Sequence, residues 1–147
     1  MILLIQRVSE SKIFVENELF SSIGKGLLVF VCFKKGDDFS NLNFERIVEK
    51  VINFRIFEDE NKKFNLSVKD VDGEIMLVSQ FTLASRNFEG NRPSFDDALE
   101  YDKAKDLFEK LYLKFSENIL TRKGSFGDYM RIQLTNEGPA TFLLEFI

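Results

Sequence analysis

Gly73-Glu74-Ile75-Met76-Leu77-Val78-Ser79-Gln80-Phe81-Thr82-Leu83 is the stretch that decides the fold. Its apolar run is short and opened by a glycine. It reads as a strand buried on both faces, because a strand with one wet face would alternate. The run turns polar without a break, which leaves two hydroxyls and an amide at the end of a buried strand. Backbone N–H groups there can be left open to a ligand. The plainer and commoner reading is a strand end whose Ser79 and Thr82 satisfy neighbouring backbone groups. Gly26-Leu27-Leu28-Val29-Phe30-Val31-Cys32-Phe33 predicts a second strand of the same kind.

Outward from this pair, Leu3 to Val8, Lys12 to Val15 and Glu18 to Ile23 predict short strands joined at Ser9-Glu10-Ser11 and Glu16-Asn17, a meander leading into Gly26 to Phe33. Phe44, Ile47, Val48, Val51 and Ile52 form a helical stripe that Asp38 or Ser40 is placed to cap. Phe54 to Phe57 and Lys63 to Val68 predict strands around Glu58-Asp59-Glu60-Asn61, whose acids suit a solvated turn better than a metal site. A longer helix starts near Asp96 or Asp97 and carries Ala104, Leu107, Phe108, Leu111 and Phe115 on one face. Met130, Ile132 and Leu134 alternate with polar residues as a half-buried strand. Asn136-Glu137-Gly138-Pro139 then reads as an ordinary turn before a last strand, Thr141 to Ile147. With no repeat or linker to divide it, residues 1–147 read as one β-rich α+β domain with two main helices.

Composition narrows the chemistry. The chain has 147 residues, 44% apolar and 30% charged, which suits a globular fold, and 17 phenylalanines with no tryptophan must supply much of the core. Leu27 to Phe33 falls short of the ~20 residues of a membrane helix. Met1 to Ile5 lacks the basic flank and cleavage site of a signal peptide, so a cytoplasmic protein with no membrane partner is expected. The lone Cys32 reads as a buried, inert thiol. Absence of histidine excludes Ser-His-Asp and Cys-His catalysis within one chain, and with a single cysteine it excludes zinc sites of the His/Cys type. No metal or cofactor is therefore expected. A net charge of −4 argues against a broad phosphate-tracking surface, so a nucleic acid would be held locally, at its end.

Six blocks in order resemble the D-aminoacyl-tRNA deacylase (D-tyrosyl-tRNA(Tyr) deacylase) family over essentially the whole chain: Ile5-Gln6-Arg7-Val8, Gly24-Lys25-Gly26-Leu27-Leu28-Val29, Arg55-Ile56-Phe57-Glu58-Asp59, Ser79-Gln80-Phe81-Thr82-Leu83, Arg92-Pro93-Ser94-Phe95 and Asn136-Glu137-Gly138-Pro139-Ala140-Thr141. The resemblance implies mixed or antiparallel barrel-like sheets and a homodimer with its active site at the subunit interface. It implies hydrolysis of D-aminoacyl-tRNA, and of glycyl-tRNA mischarged on tRNA(Ala), as chiral proofreading. Ser79, Gln80, Phe81 and Thr82 would line the pocket for the aminoacylated 3′ acceptor end, with Phe126 and Met130 at its edge. Gly138 and Pro139, joined by a cis peptide, would reach into the partner's pocket and exclude an L side chain, while Arg7 holds that loop. An aminoacyl ester is labile, so backbone N–H groups near Phe81 and Thr82 and the ribose 2′-hydroxyl suffice in principle. Thr82 as nucleophile would need an adjacent base. Two positions depart from the family pattern: Asp128 where a small residue is usual, and Phe64 in place of methionine. The alternative is a non-catalytic binding module for the tRNA 3′ end.

Overall fold

A computed structural model describes residues 1–86 and 90–147. In chain order the strands are β1 (Ile2–Val15), β2 (Glu18–Ile23) and β3 (Gly26–Cys32), then helix α1 (Phe44–Ile52), β4 (Phe57–Glu58), β5 (Phe64–Leu66) and β6 (Glu74–Ser79). A 3-10 turn, Phe81–Ala84, follows β6, then α2 (Tyr101–Ser116), β7 (Thr121–Lys123) and β8 (Arg131–Glu145). Six strands form one sheet, and β4 and β5 make a separate hairpin. Among the described residues no helix is long and apolar enough to cross a membrane.

Two expectations are redrawn. Leu3 to Val8 and Lys12 to Val15 are one strand, and β2 and β3 pair antiparallel with successive parts of β1, Ser11 opposite Ile23 and Val8 opposite Gly26. There is therefore no meander: Ser9-Glu10-Ser11 continues the strand and β2 runs on into β3. At the other end, β8 is one strand pairing with both halves of β1, not two strands around a turn. The ladder on β3 continues with β6 and then β7, both parallel.

Alternation explains why β3 and β6 are apolar throughout. Leu27, Val29, Val31, Ile75 and Leu77 face the helices, where Ile47, Val48, Val51, Leu107, Phe108, Leu111 and Phe115 cover them. Leu28, Met76 and Val78 point the other way, onto Val8, Ile13 and Ile23, with Met130, Ile132 and Leu134 of the β8 side packed around them. Val8 and Ile13 share that face despite opposite parity because the β1–β8 register shifts between Val8 and Ser11. Close approach of β3 and β6 demands Gly26, since a Cβ there would lie 1.9 Å from the Glu74 carbonyl oxygen.

The helix caps also move. Helix α1 is capped by Asn43, whose side chain accepts from the Arg46 N–H, while Asp38 accepts from the N–H groups of Ser40 and Asn41 and closes its own turn. Helix α2 begins at Tyr101, later than the acidic pair suggested, because Asp97 is engaged with Arg86 and its carbonyl accepts from the Lys35 N–H.

Candidate active site

The carboxyl ends of the adjacent parallel strands β3 and β6 open into a cavity of about 510 Å³. Its lining includes Cys32 at the end of β3 and Phe33 just after it, Ser79 at the end of β6 with Gln80 and Phe81 just beyond, and Tyr101, Phe126, Asp128 and Met130 from the far side. Parallel strand ends are a usual place for a ligand, because the chains leaving them diverge. Of the residues predicted from sequence, Ser79, Gln80, Phe81, Phe126 and Met130 come together here. Thr82, Arg7, Gly138 and Pro139 do not line it.

The polar end of β6 is a turn rather than a continued strand. Gln80 N–H donates to the Val31 carbonyl, holding the end of β6 against β3, and the chain then tightens into the 3-10 turn. The first N–H groups of such a turn lack partners within it. Those of Phe81 and Thr82 meet no acceptor among the described residues, while Leu83 N–H donates to the Gln80 carbonyl. The Thr82 hydroxyl accepts from Gln80 Nε2, and among the described residues no carboxylate or amine is bonded to it. Phe81 stands half exposed at the mouth, edge-on to Phe95 with ring centroids 5.0 Å apart. Phe126 is fixed between Tyr101 and Phe108 at 5.2 and 5.5 Å.

The second motif is built differently. Opposite Arg7, the single residue between Gln6 and Val8, β8 places four residues, Glu137 to Ala140. The excess bulges out of the ladder with Gly138 and Pro139 exposed and their peptide bond cis. Arg7, buried, clamps it: Nε donates to the Glu137 carbonyl at 3.0 Å and Nη1 to the Ile56 carbonyl at 2.8 Å. Its guanidinium also lies over the Phe64 ring at 5.1 Å, so the departure to phenylalanine supplies a cation–π contact. Asn136 and Thr141, without an individual role among the residues predicted for the site, close the base of the bulge. The Ala140 N–H donates to Asn136 Oδ1 at 3.1 Å, and Asn136 Nδ2 donates to Thr141 Oγ1 at 2.8 Å. Their signal was a pair of short polar side chains straddling Gly-Pro-Ala. Among the described residues Asp128 is the one formally charged side chain on the cavity lining, its carboxylate accepting from Ser125 Oγ.

The model of the D-Tyr-tRNA(Tyr) deacylase family matches residues 4–145. The chain belongs to that family. This deacylase-family chain is 48% identical to a D-aminoacyl-tRNA deacylase of Thermodesulfovibrio yellowstonii, with 98% of each chain covered. It is 44% identical to one of Pasteurella multocida, with 99% of each covered. Among solved structures it superposes on a c-Myc DNA unwinding element binding protein with a TM-score of 0.91 at 34% identity, covering 100% of this chain and 99% of that one. A probable eukaryotic D-amino acid tRNA deacylase, at 16% identity and a TM-score of 0.80 over 97% of each chain, shares the fold. The matched range spans both motif blocks, the one at the cavity and the one on the bulge.

Proposed function

We propose that this chain hydrolyses the ester of D-aminoacyl-tRNA, releasing the free D-amino acid and tRNA, as a cytoplasmic proofreading enzyme of translation. The observation that carries the reading is the pair of open N–H groups at Phe81 and Thr82, on a turn at the mouth of an aromatic-walled cavity. Two such donors suit the oxyanion that forms when water attacks the ester carbonyl. Collapse of that intermediate expels the ribose 3′-oxygen, which takes up a proton. The terminal 2′-hydroxyl assists the attacking water, and Thr82 acts through its N–H, since its hydroxyl is turned to Gln80 rather than to a base. Ser79 and Gln80 orient the aminoacyl group, and Phe126 and Met130 border the adenosine. Glycyl-tRNA is a further substrate, having no side chain to exclude.

The active unit in this reading is a homodimer. Gly138 and Pro139 on β8 are separated from β6 by β1 and β3, three strand spacings or ~14 Å, so the bulge is poorly placed to close its own chain's cavity. It is exposed and clamped for a partner's cavity, where its carbonyls would meet the α-amino group and leave no room for an L side chain. The test is ester loss from D-Tyr-tRNA and L-Tyr-tRNA with chelator-treated protein, alongside sedimentation. Loss of the D ester alone, from a dimer, is expected; equal loss of both forms sinks the chiral role. A binding module for the tRNA 3′ end is a second reading, favoured by the similar structure named for binding a DNA element. It predicts binding with no loss of ester.

A further inference from the structure

We infer that Cys32 is a positioning residue that holds the Phe81–Ala84 turn, and with it the two open N–H groups, in place for the oxyanion. The inference rests on the deacylase reading above. Cys32 ends β3, and its Sγ donates toward the carbonyls of Phe33 and Phe81, each at 3.6 Å. The Phe81 carbonyl belongs to the turn itself, and Ala84, at the turn's far end, is buried in the same apolar cluster as Cys32. One residue thus meets both ends of a four-residue turn, the first through its thiol and the last through packing. Around it lies a small apolar cluster separate from the main cores, Ile2, Cys32 and Ala84 with Leu83 and Ala98 packed on it. The turn's other ties are local or at its start: Gln80 N–H to the Val31 carbonyl, Leu83 N–H to the Gln80 carbonyl, Ser85 N–H to the Thr82 carbonyl and the Phe81–Phe95 ring contact, with Phe81 and Thr82 exposed. Burial pushes the Cys32 thiol up from its usual range, which keeps it a neutral donor.

Cys32→Ala removes the donor and Cys32→Ser keeps one. A single neutral hydrogen bond predicts that Cys32→Ala lowers kcat on saturating D-Tyr-tRNA about fivefold with KM within about twofold, and that Cys32→Ser restores most of the loss. Amide exchange of Leu83, Ala84 and Ser85, followed by NMR on the same proteins, should quicken by a similar factor in Cys32→Ala and recover in Cys32→Ser. An unchanged kcat with unchanged exchange in Cys32→Ala overturns the inference, and so does a Cys32→Ser variant no better than Cys32→Ala, which would make the residue mere packing. If the parent protein hydrolyses no D-aminoacyl-tRNA, the deacylase reading falls by itself and exchange alone decides: protection lost and restored upholds the grip, protection unaltered removes it.

Discussion

Arg7 shows how one buried cation organises a site it does not line. Arg7→Ala strands the carbonyls of Ile56 and Glu137, and at ~1.5–3 kcal/mol for a charge-assisted bond a loss of about 3 kcal/mol is expected in urea unfolding. Arg7→Lys should recover little, because an ammonium cannot span two carbonyls and stack on Phe64 at once. Ser11 points the opposite way: its Oγ is fully buried and meets no partner among the described residues. Ser11→Ala is expected to leave stability unchanged or raise it by up to about 1 kcal/mol, read from the same denaturant midpoint. For Cys32 the thiol is pushed up by burial, so the folded chain holds its proton longer than the unfolded one. Its contribution is fully present below the unfolded thiol's value, ~8.5, and is lost as pH rises through the folded one. Alkaline unfolding should therefore soften in Cys32→Ala relative to the parent, as seen in pH-dependent thermal melts.

At the scale of elements, legibility followed periodicity. Five apolar residues from Phe44 to Ile52 gave α1, and two doubly apolar runs gave β3 and β6, because burial on a defined face leaves a pattern in the residues themselves. What stayed hidden was pairing. The union of two predicted segments into β1, and of two more into β8, depends on a long-range partner strand that overrides local turn residues such as Asn136 and Gly138. The candidate site was half legible for the same reason: Ser79 to Phe81 lie on one strand and its turn, whereas Tyr101 and Asp128 reach the cavity from elements distant in sequence. Within β8, Gly138 has φ +126, and an added Cβ would stand 2.6 Å from Arg7 Nη2. Gly138→Ala should displace the clamp and weaken chiral discrimination, with D-ester turnover less affected; equal D to L ratios in variant and parent would place the selectivity elsewhere. In the helical layer, Phe108→Ala opens a cavity beneath Phe126 and should cost about 3–5 kcal/mol.

For the whole molecule, the acid limb of stability is distributed over turns. Asp38, Asp59 and Asp70 are held below the usual carboxylate range, first by hydrogen bonds from Ser40, Lys63 and Ser67 respectively. Depressed values stabilise above the unfolded carboxylate's value, ~3.9, and that support disappears as pH falls through the folded ones. Asp70→Asn should therefore flatten the fall in melting temperature at acid pH. The bulge on β8 has one more consequence. Because both of its flanks are anchored to the same strand, Asn136 beside Val8 and Thr141 beside Gln6, the excursion between them behaves as a spacer whose length is uncoupled from the register of the sheet. Residues gained or lost there would change how far the tip projects while every core side chain keeps its face. That makes this short segment the place where a lineage, or an engineer, can retune reach without redesigning the scaffold.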